Sequence, residues 1–296
     1  MIQATKKYPA LLPIASCLLA ATLWGISWYP LRLLEQQGIN GLWATILIYA
    51  VAFLVLIPFM MRQAVATSLL QRDYLMICLA SGWANTGFIL AVLEGNVVRV
   101  LLLFYLSPVW TIIFSKILLR ETLTRMGVLT VIIAMSGAVI MLGQPALIST
   151  TGISTADIYA VSAGMAFALM NVLLRKTVDL PLTLKVGLSA VGVIAVALTG
   201  LAITVNPLPV LTINNLLLVF LLGSVGLLLM TYAAQFGVTH LPTHRSAVLF
   251  LFEIVAGAVS AAWWGDEVMS WREWLGGLAV VIAALITAYD YRLKSA

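Results

Sequence analysis

Glu253 is the residue of this chain best placed to do chemistry. It sits about eleven residues into an apolar stretch running from 242 to 263, long enough to cross a bilayer. A carboxyl at that depth costs several kcal/mol or more unless it has a use or a partner. It can bind a substrate ammonium or take up a proton. Equally, it can be a neutral or hydrogen-bonded carboxyl packed against another helix, with Asn85, Asn171 or Gln235 as partner. Arg99 and Arg245 lie just inside the ends of their own apolar stretches, where long stems snorkel to water or form gating pairs. Lys116 reads as an interface anchor in the same way. His240 and His244 flank Pro242 and read as solvated loop residues, with a titratable gate as the alternative.

These residues need helices to hold them, and the composition says which kind. Hydrophobic residues make up 62% of the 296 residues and charged ones 9%, too few to solvate a soluble protein of this length. Apolar runs of about twenty residues recur along the chain, as membrane-crossing helices require. Breaks at charge and Pro/Gly/Asn clusters place ten of them at roughly 11 to 31, 39 to 61, 74 to 93, 97 to 118, 125 to 143, 156 to 174, 184 to 204, 211 to 236, 242 to 263 and 272 to 290. The weakest break is Leu93-Glu94-Gly95-Asn96. A buried bundle in a soluble protein would carry polar stripes at helical period, and Leu216 to Met230 has none.

The basic residues orient the bundle. With the N-terminus cytoplasmic, Lys6, Lys7, Arg62, Arg72, Lys116, Arg120, Arg125, Arg175, Lys176, Lys185, Arg245, Arg292 and Lys294 collect on one side, and Arg32, Arg99 and Arg272 on the other. Thirteen against three puts both termini in the cytoplasm. The net charge of +5 is then topology and contact with anionic lipid, not a nucleic-acid surface. Lys6 and Lys7 before an apolar run resemble a secretory signal, but Pro9 and Pro13 interrupt the run and hydrophobicity continues through Leu31, so an uncleaved first helix is expected. Cys17 and Cys78 fall inside helices and read as small apolar packers.

An internal repeat sets the architecture. Shifting the chain by 146 positions lays the fourth and fifth helices on the ninth and tenth: Arg99 falls on Arg245, Val109 on Val255 and Glu121 on Glu267. A shift of 143 brings Arg32 onto Arg175. Residues 1–145 and 146–296 are thus two five-helix repeats, and an odd number of crossings turns the second upside down. Ser107, not a second acid, matches Glu253, so any charge between the halves is asymmetric. Inverted repeats of this kind are a transporter design, with the substrate site near the midplane.

At this point the chain resembles the drug/metabolite transporter superfamily, in its ten-helix branch with two EamA domains. The residues that carry the resemblance are Leu23-Trp24-Gly25-Ile26-Ser27, Leu106-Ser107-Pro108-Val109, Leu119-Arg120-Glu121-Thr122-Leu123-Thr124, Phe252-Glu253-Ile254-Val255, and Trp264-Gly265-Asp266-Glu267-Val268-Met269-Ser270 followed by Gly276. Ile254 departs from the pattern, which usually has Pro after Glu, and Thr130 stands where Gly is frequent. The resemblance implies that helices one, three, four, six, eight and nine surround a central cavity, with five and ten peripheral. Within those helices Trp24, Trp28, Trp83, Tyr105, Phe167 and Tyr232 become candidates to stack on flat amphipathic substrates and attract cationic groups, beside Asn85, Asn171, Gln235 and Glu253. Simple packing is the alternative for each ring. Pro108 is the candidate bend for rocking between two openings, with Glu253, Arg99 and Arg245 as gating or coupling residues. Trp263, Trp264, Trp271 and Trp274 read as an interfacial belt.

Other functions lack their residues. No His-Glu-x-x-His zinc sequence, convincing serine site or Gly-x-x-x-x-Gly-Lys-Ser/Thr loop occurs, and the Gly265-Asp266 and Tyr289-Asp290 dipeptides fall on opposite sides of the membrane. The expectation is an alternating-access secondary carrier, not an enzyme, with no cofactor, metal or nucleic-acid partner. It would export small organic metabolites from a bacterial inner membrane, best matched by aromatic or apolar amino acids and related amines, with protons as a candidate coupling ion, as a monomer or weak homodimer in membrane lipid. A channel or a non-transporting receptor is the alternative.

Overall fold

The computed structural model describes residues 9, 11–63, 72–143, 152–204, 207–265 and 268–295. Lys6, Lys7, Asp266 and Glu267, used above for orientation and repeat, lie outside them. Among the described residues ten helices are long and apolar enough to cross a membrane: α1 Leu11–Gln36, α2 Gly41–Met61, α3 Arg72–Glu94, α4 Val97–Leu118, α5 Arg125–Leu142, α6 Thr155–Lys176, α7 Leu182–Ile203, α8 Ile213–His240, α9 Thr243–Trp264 and α10 Trp271–Leu293. The protein is an all-α, multi-pass membrane protein.

Local chemistry fixes the helix starts. Asn96 separates α3 from α4 by accepting hydrogen bonds from the N–H groups of Val98 (3.0 Å) and Arg99 (3.2 Å), so the weak break is a capped one. Ser154 and Asp157 form a capping box at α6, and Thr212 and Asn215 form another at α8. Asn40 caps α2 and Thr124 caps α5.

Four spans depart from continuous α-helix, and proline explains two of them. In α1 the helix turns at Ser27, where Pro30 cannot bond the Ile26 carbonyl. In α4 Pro108 likewise leaves the Phe104 carbonyl without its i+4 donor, and the chain tightens through i→i−3 bonds from Leu106 to Leu103 and from Val109 to Leu106. In α9 the same tightening occurs at Leu251, with Leu251 bonding Val248 and Ile254 bonding Leu251, both at 3.2 Å, although no proline is present. Ile254 therefore does not abolish the bend. A fourth span, α8, carries a π-helical turn at Leu222–Leu227.

Helix packing follows an ordered pattern. α6 packs on α3 and α4, α1 on α8 and α9, α7 on α3 and α2, and α2 on the π turn of α8. α5 and α10 pack on each other at the edge. Leucines and isoleucines across the outer faces, such as Leu54, Ile117, Ile132, Leu217 and Leu285, are exposed, as helices bathed in lipid require. Trp263, Trp264, Trp271 and Trp274 are exposed at the adjoining ends of α9 and α10, in keeping with an interfacial belt.

Candidate functional site

A cavity of about 180 Å³ lies between the helices, walled by α1, α2, α3, α4, α6, α7, α8 and α9. The six expected helices are there; α2 adds Tyr49, and α7 adds Ser189 and Val193. α5 and α10 stay outside it.

Glu253 reaches the cavity because α9 is broken just before it, at Leu251. The break in α4 brings Tyr105 to the same place, where its side chain and the Glu253 carboxyl line the same cavity as neighbours. Near both breaks a carbonyl packs closely on a glycine of a facing helix. The Phe104 carbonyl rests on Gly164 of α6, where a Cβ would meet it at 2.6 Å, and the Glu253 carbonyl rests on Gly25 of α1 at the same 2.6 Å. No other residue admits a carbonyl this close, and such contacts are suited to Cα–H···O bonding.

Aromatic rings line one wall in a continuous chain. Phe88 and Phe104 have centroids 4.9 Å apart, Phe104 and Phe167 5.6 Å, and Phe167 and Phe250 5.8 Å. Tyr105 meets Phe104 edge-on at 5.6 Å. Amides and hydroxyls make up the rest. Asn85 donates its amide to the Tyr49 hydroxyl at 3.4 Å, Gln235 donates to Ser189 Oγ at 3.0 Å, and Ser81 reaches Ser189 at 3.1 Å. The opposite oxygens of both amides, Asn85 Oδ1 and Gln235 Oε1, have no partner, and neither does Thr231 Oγ1. Each such buried atom costs roughly 1–3 kcal/mol until a donor arrives.

Seven of the ten residues expected to touch substrate thus share one cavity: Trp24, Asn85, Tyr105, Phe167, Asn171, Gln235 and Glu253. Trp28, Trp83 and Tyr232 do not line it. Trp28 donates to Ser260 at 2.9 Å and pins α1 to α9; Trp83 donates to Ser162 at 3.1 Å and pins α3 to α6; Tyr232 bonds Thr183 at 3.1 Å. None of Asn85, Asn171 or Gln235 takes the place of Tyr105 beside the acid. Pro108, at the start of the second segment of α4, is the cause of that helix's break.

The arginines are ion-paired and stand away from the cavity. Arg99 meets Asp157 at 2.7 Å, and Arg245 meets Asp290 at 2.7 Å with its guanidinium 4.9 Å from the Tyr291 ring centre. Arg245 is 6% exposed, so it does not snorkel; it is held inside by an acid and a ring. His244 is also buried, at 6% exposure, and lines a groove with Lys116, Arg120 and Glu121. The reading of His244 as a solvated loop residue fails because the loop is only Leu241 and Pro242, and α9 begins at Thr243.

Lys185 is the residue that sequence reasoning missed. Counted above only among the cytoplasmic-side cations, it is fully buried in the first turn of α7. Its ammonium donates to the Leu174 carbonyl at 2.8 Å and to Thr239 Oγ1 at 3.0 Å. Beside it, Arg175 donates to the Thr239 carbonyl and to Glu121 at 3.4 Å, and Glu121 accepts from the N–H and hydroxyl of Thr243 at 3.0 and 2.8 Å. This network ties α6, α7, α8 and α9 to the loop after α4.

Residues 11–143 match the sequence pattern described as the EamA-like transporter family. No curated protein matches the chain. A solved structure titled only "Crystal structure of protein" is similar at 17% identity with a TM-score of 0.76, over 93% of this chain and 97% of that one, which is a likeness of fold.

Proposed function

We propose that the chain, whose residues 11–143 match the EamA-like transporter family, is a membrane transporter of that kind and works as an alternating-access secondary carrier. Its cargo on this reading is small amphipathic organic molecules, namely aromatic or apolar amino acids and the related amines. It works as an exporter in a bacterial inner membrane with both termini cytoplasmic. The observation that carries the reading is the acid at the seam: Glu253 faces Tyr105 in a ring-lined cavity, each residue delivered by a broken helix.

The two inverted repeats, 1–145 and 146–296, are part of the proposal. The first segments of the broken helices, Val97–Phe104 and Thr243–Phe250, are separated by the shift of 146 found in the sequence, and so are the breaks at Tyr105 and Leu251. Helix adjacency respects the exchange of halves: α6 on α4 answers α1 on α9, α3 on α6 answers α8 on α1, and α7 on α3 answers α2 on α8. Pairs related to themselves, α2 with α7 and α5 with α10, lie where a pseudo-two-fold axis would cross. Rocking of one half on the other would open the cavity to either side, and the Glu121–Arg175–Lys185 network would have to part for one of those openings.

Glu253 is the proposed coupling residue, exchanging a proton for the cargo's ammonium. Counterflow in proteoliposomes tests both claims. The protein should exchange labelled for unlabelled substrate with no gradient applied, and Glu253→Gln should remove the pH dependence of exchange. Absence of counterflow across a panel of amines and amino acids would refute the carrier, and an unchanged pH profile in Glu253→Gln would refute the coupling.

A further inference from the structure

Within that cargo class the charges of the cavity wall separate two kinds of molecule. The wall holds one carboxyl, Glu253, and no Lys, Arg or His. Two of its three amides are turned so that their N–H groups serve Tyr49 and Ser189, leaving Asn85 Oδ1 and Gln235 Oε1 as unpaired acceptors, with Thr231 Oγ1 also unpaired; Asn171 is the third. The nearby cations are committed elsewhere: Arg245 to Asp290, Arg99 to Asp157, and Lys185 to Leu174 and Thr239. An amino acid brought into this space finds an acid and acceptors for its ammonium, but no cation for its carboxylate. A carboxylate stripped of water without a counter-charge is strongly disfavoured.

We infer that the cavity selects an organic monoamine, a flat apolar group bearing one ammonium and no carboxylate, over the matching amino acid. The ammonium is taken by Glu253 with the unpaired oxygens of the wall, and the ring by the chain Phe88, Phe104, Phe167 and Phe250. The inference rests on the carrier reading only for transport, because selection by the cavity is a property of binding.

The test compares phenethylamine with phenylalanine, which differ by the carboxylate alone, and adds phenylalanine amide, which keeps the bulk and removes the charge. Binding is read from ligand-induced shifts in the melting of the purified protein, and transport from counterflow. Phenethylamine and the amide should bind at least tenfold more tightly than phenylalanine, and Glu253→Gln should weaken binding of both amines at least tenfold, because it removes the charge that faces the ammonium. Phenylalanine binding as tightly as phenethylamine would overturn the inference, as would failure of all three to bind. The comparison on the unmodified protein decides the matter even if Glu253→Gln does not fold. If phenethylamine binds selectively but shows no counterflow, the selectivity stands and the carrier reading falls.

Discussion

Gly25 is the point at which α9 comes closest to α1, and it offers the sharpest test of how Glu253 is held. A Cβ built on Gly25 lies 2.6 Å from the Glu253 carbonyl oxygen, 2.7 Å from Ala256 Cβ and 2.9 Å from the Gly257 nitrogen. Ordinary contact needs about 3.5 Å, so Gly25→Ala must push α9 away by close to ~1 Å. The atoms in the way are backbone and a Cβ, which cannot rotate aside. Overpacking of this kind costs about 1–3 kcal/mol, and alanine's better helix propensity returns about 0.5–1 kcal/mol. The net is a loss of about 0–2.5 kcal/mol, centred a little above ~1 kcal/mol, at the turn that presents Glu253 to Tyr105. Since 1.4 kcal/mol is tenfold in an equilibrium, phenethylamine affinity should fall by about tenfold. Gly257→Ala is the matched control, because a Cβ there meets only the Gly25 carbonyl, at 3.5 Å. It should melt no lower than the unmodified protein and exchange substrate at the same rate. Counterflow at equal reconstituted protein, with melting in detergent alongside, reads both variants. Gly25→Ala within twofold of normal exchange, or Gly257→Ala as damaging as Gly25→Ala, would refute this account of the α1–α9 contact.

Further outcomes follow from the ion pairs and the orientation. Asp290→Asn leaves the Arg245 guanidinium, 7% exposed at its side chain, without its acid and should cost about 3–5 kcal/mol, whereas Asp73→Asn breaks the outer Lys176 pair for about 0–1 kcal/mol; a comparable fall in melting for both would count against the burial argument. Lys185→Met removes the donor of two buried oxygens and should cost about 1–3 kcal/mol, while speeding exchange if the network around it must part; unchanged melting with slower exchange would count against that reading. Cysteines placed at Lys116 and Trp271, exposed positions at the end of one span and the start of another, should be labelled from opposite faces of the membrane, and labelling from the same face would refute the inverted arrangement.

The spans were legible because membrane helices obey one strong constraint, the internal satisfaction of every backbone amide, and the sequence shows it as hydropathy. The fourth span, 97 to 118, coincides with the observed helix, while α1 runs to Gln36 rather than 31 because the polar Glu35 and Gln36 extend the helix beyond its apolar run. Glu253, Tyr105, Phe167 and the amides could be read as cavity residues once the helices around it were identified by resemblance. What could not be read was the direction of each side chain. Trp28, Trp83 and Tyr232 lie on cavity-forming helices but turn toward Ser260, Ser162 and Thr183, because a buried N–H or O–H goes where a hydroxyl waits. Lys185 was hidden for a related reason. Its burial comes from the ends of α6 and α8 closing over the first turn of α7, and nothing in the local sequence marks that convergence.

Scaffold and chemistry obey different symmetries in this protein, and the difference has a physical consequence. The breaks in α4 and α9 stand 146 residues apart, but the carbonyls that rest on glycines do not correspond: Phe104, before its break, meets Gly164, and Glu253, after its break, meets Gly25. The position 146 residues before Glu253 is Ser107, and proline breaks α4 while α9 tightens with no proline at the bend. On the proposed carrier reading, breaks at matching positions would let both openings be built from similar packing, so neither need lie far below the other in energy. Two facing acids would instead place like charges across one small cavity and make it favour uptake of protons over cargo. One acid, next to a phenol and a ring wall, leaves a site that a single ammonium can neutralise, which is what an exchange of one cation for another requires.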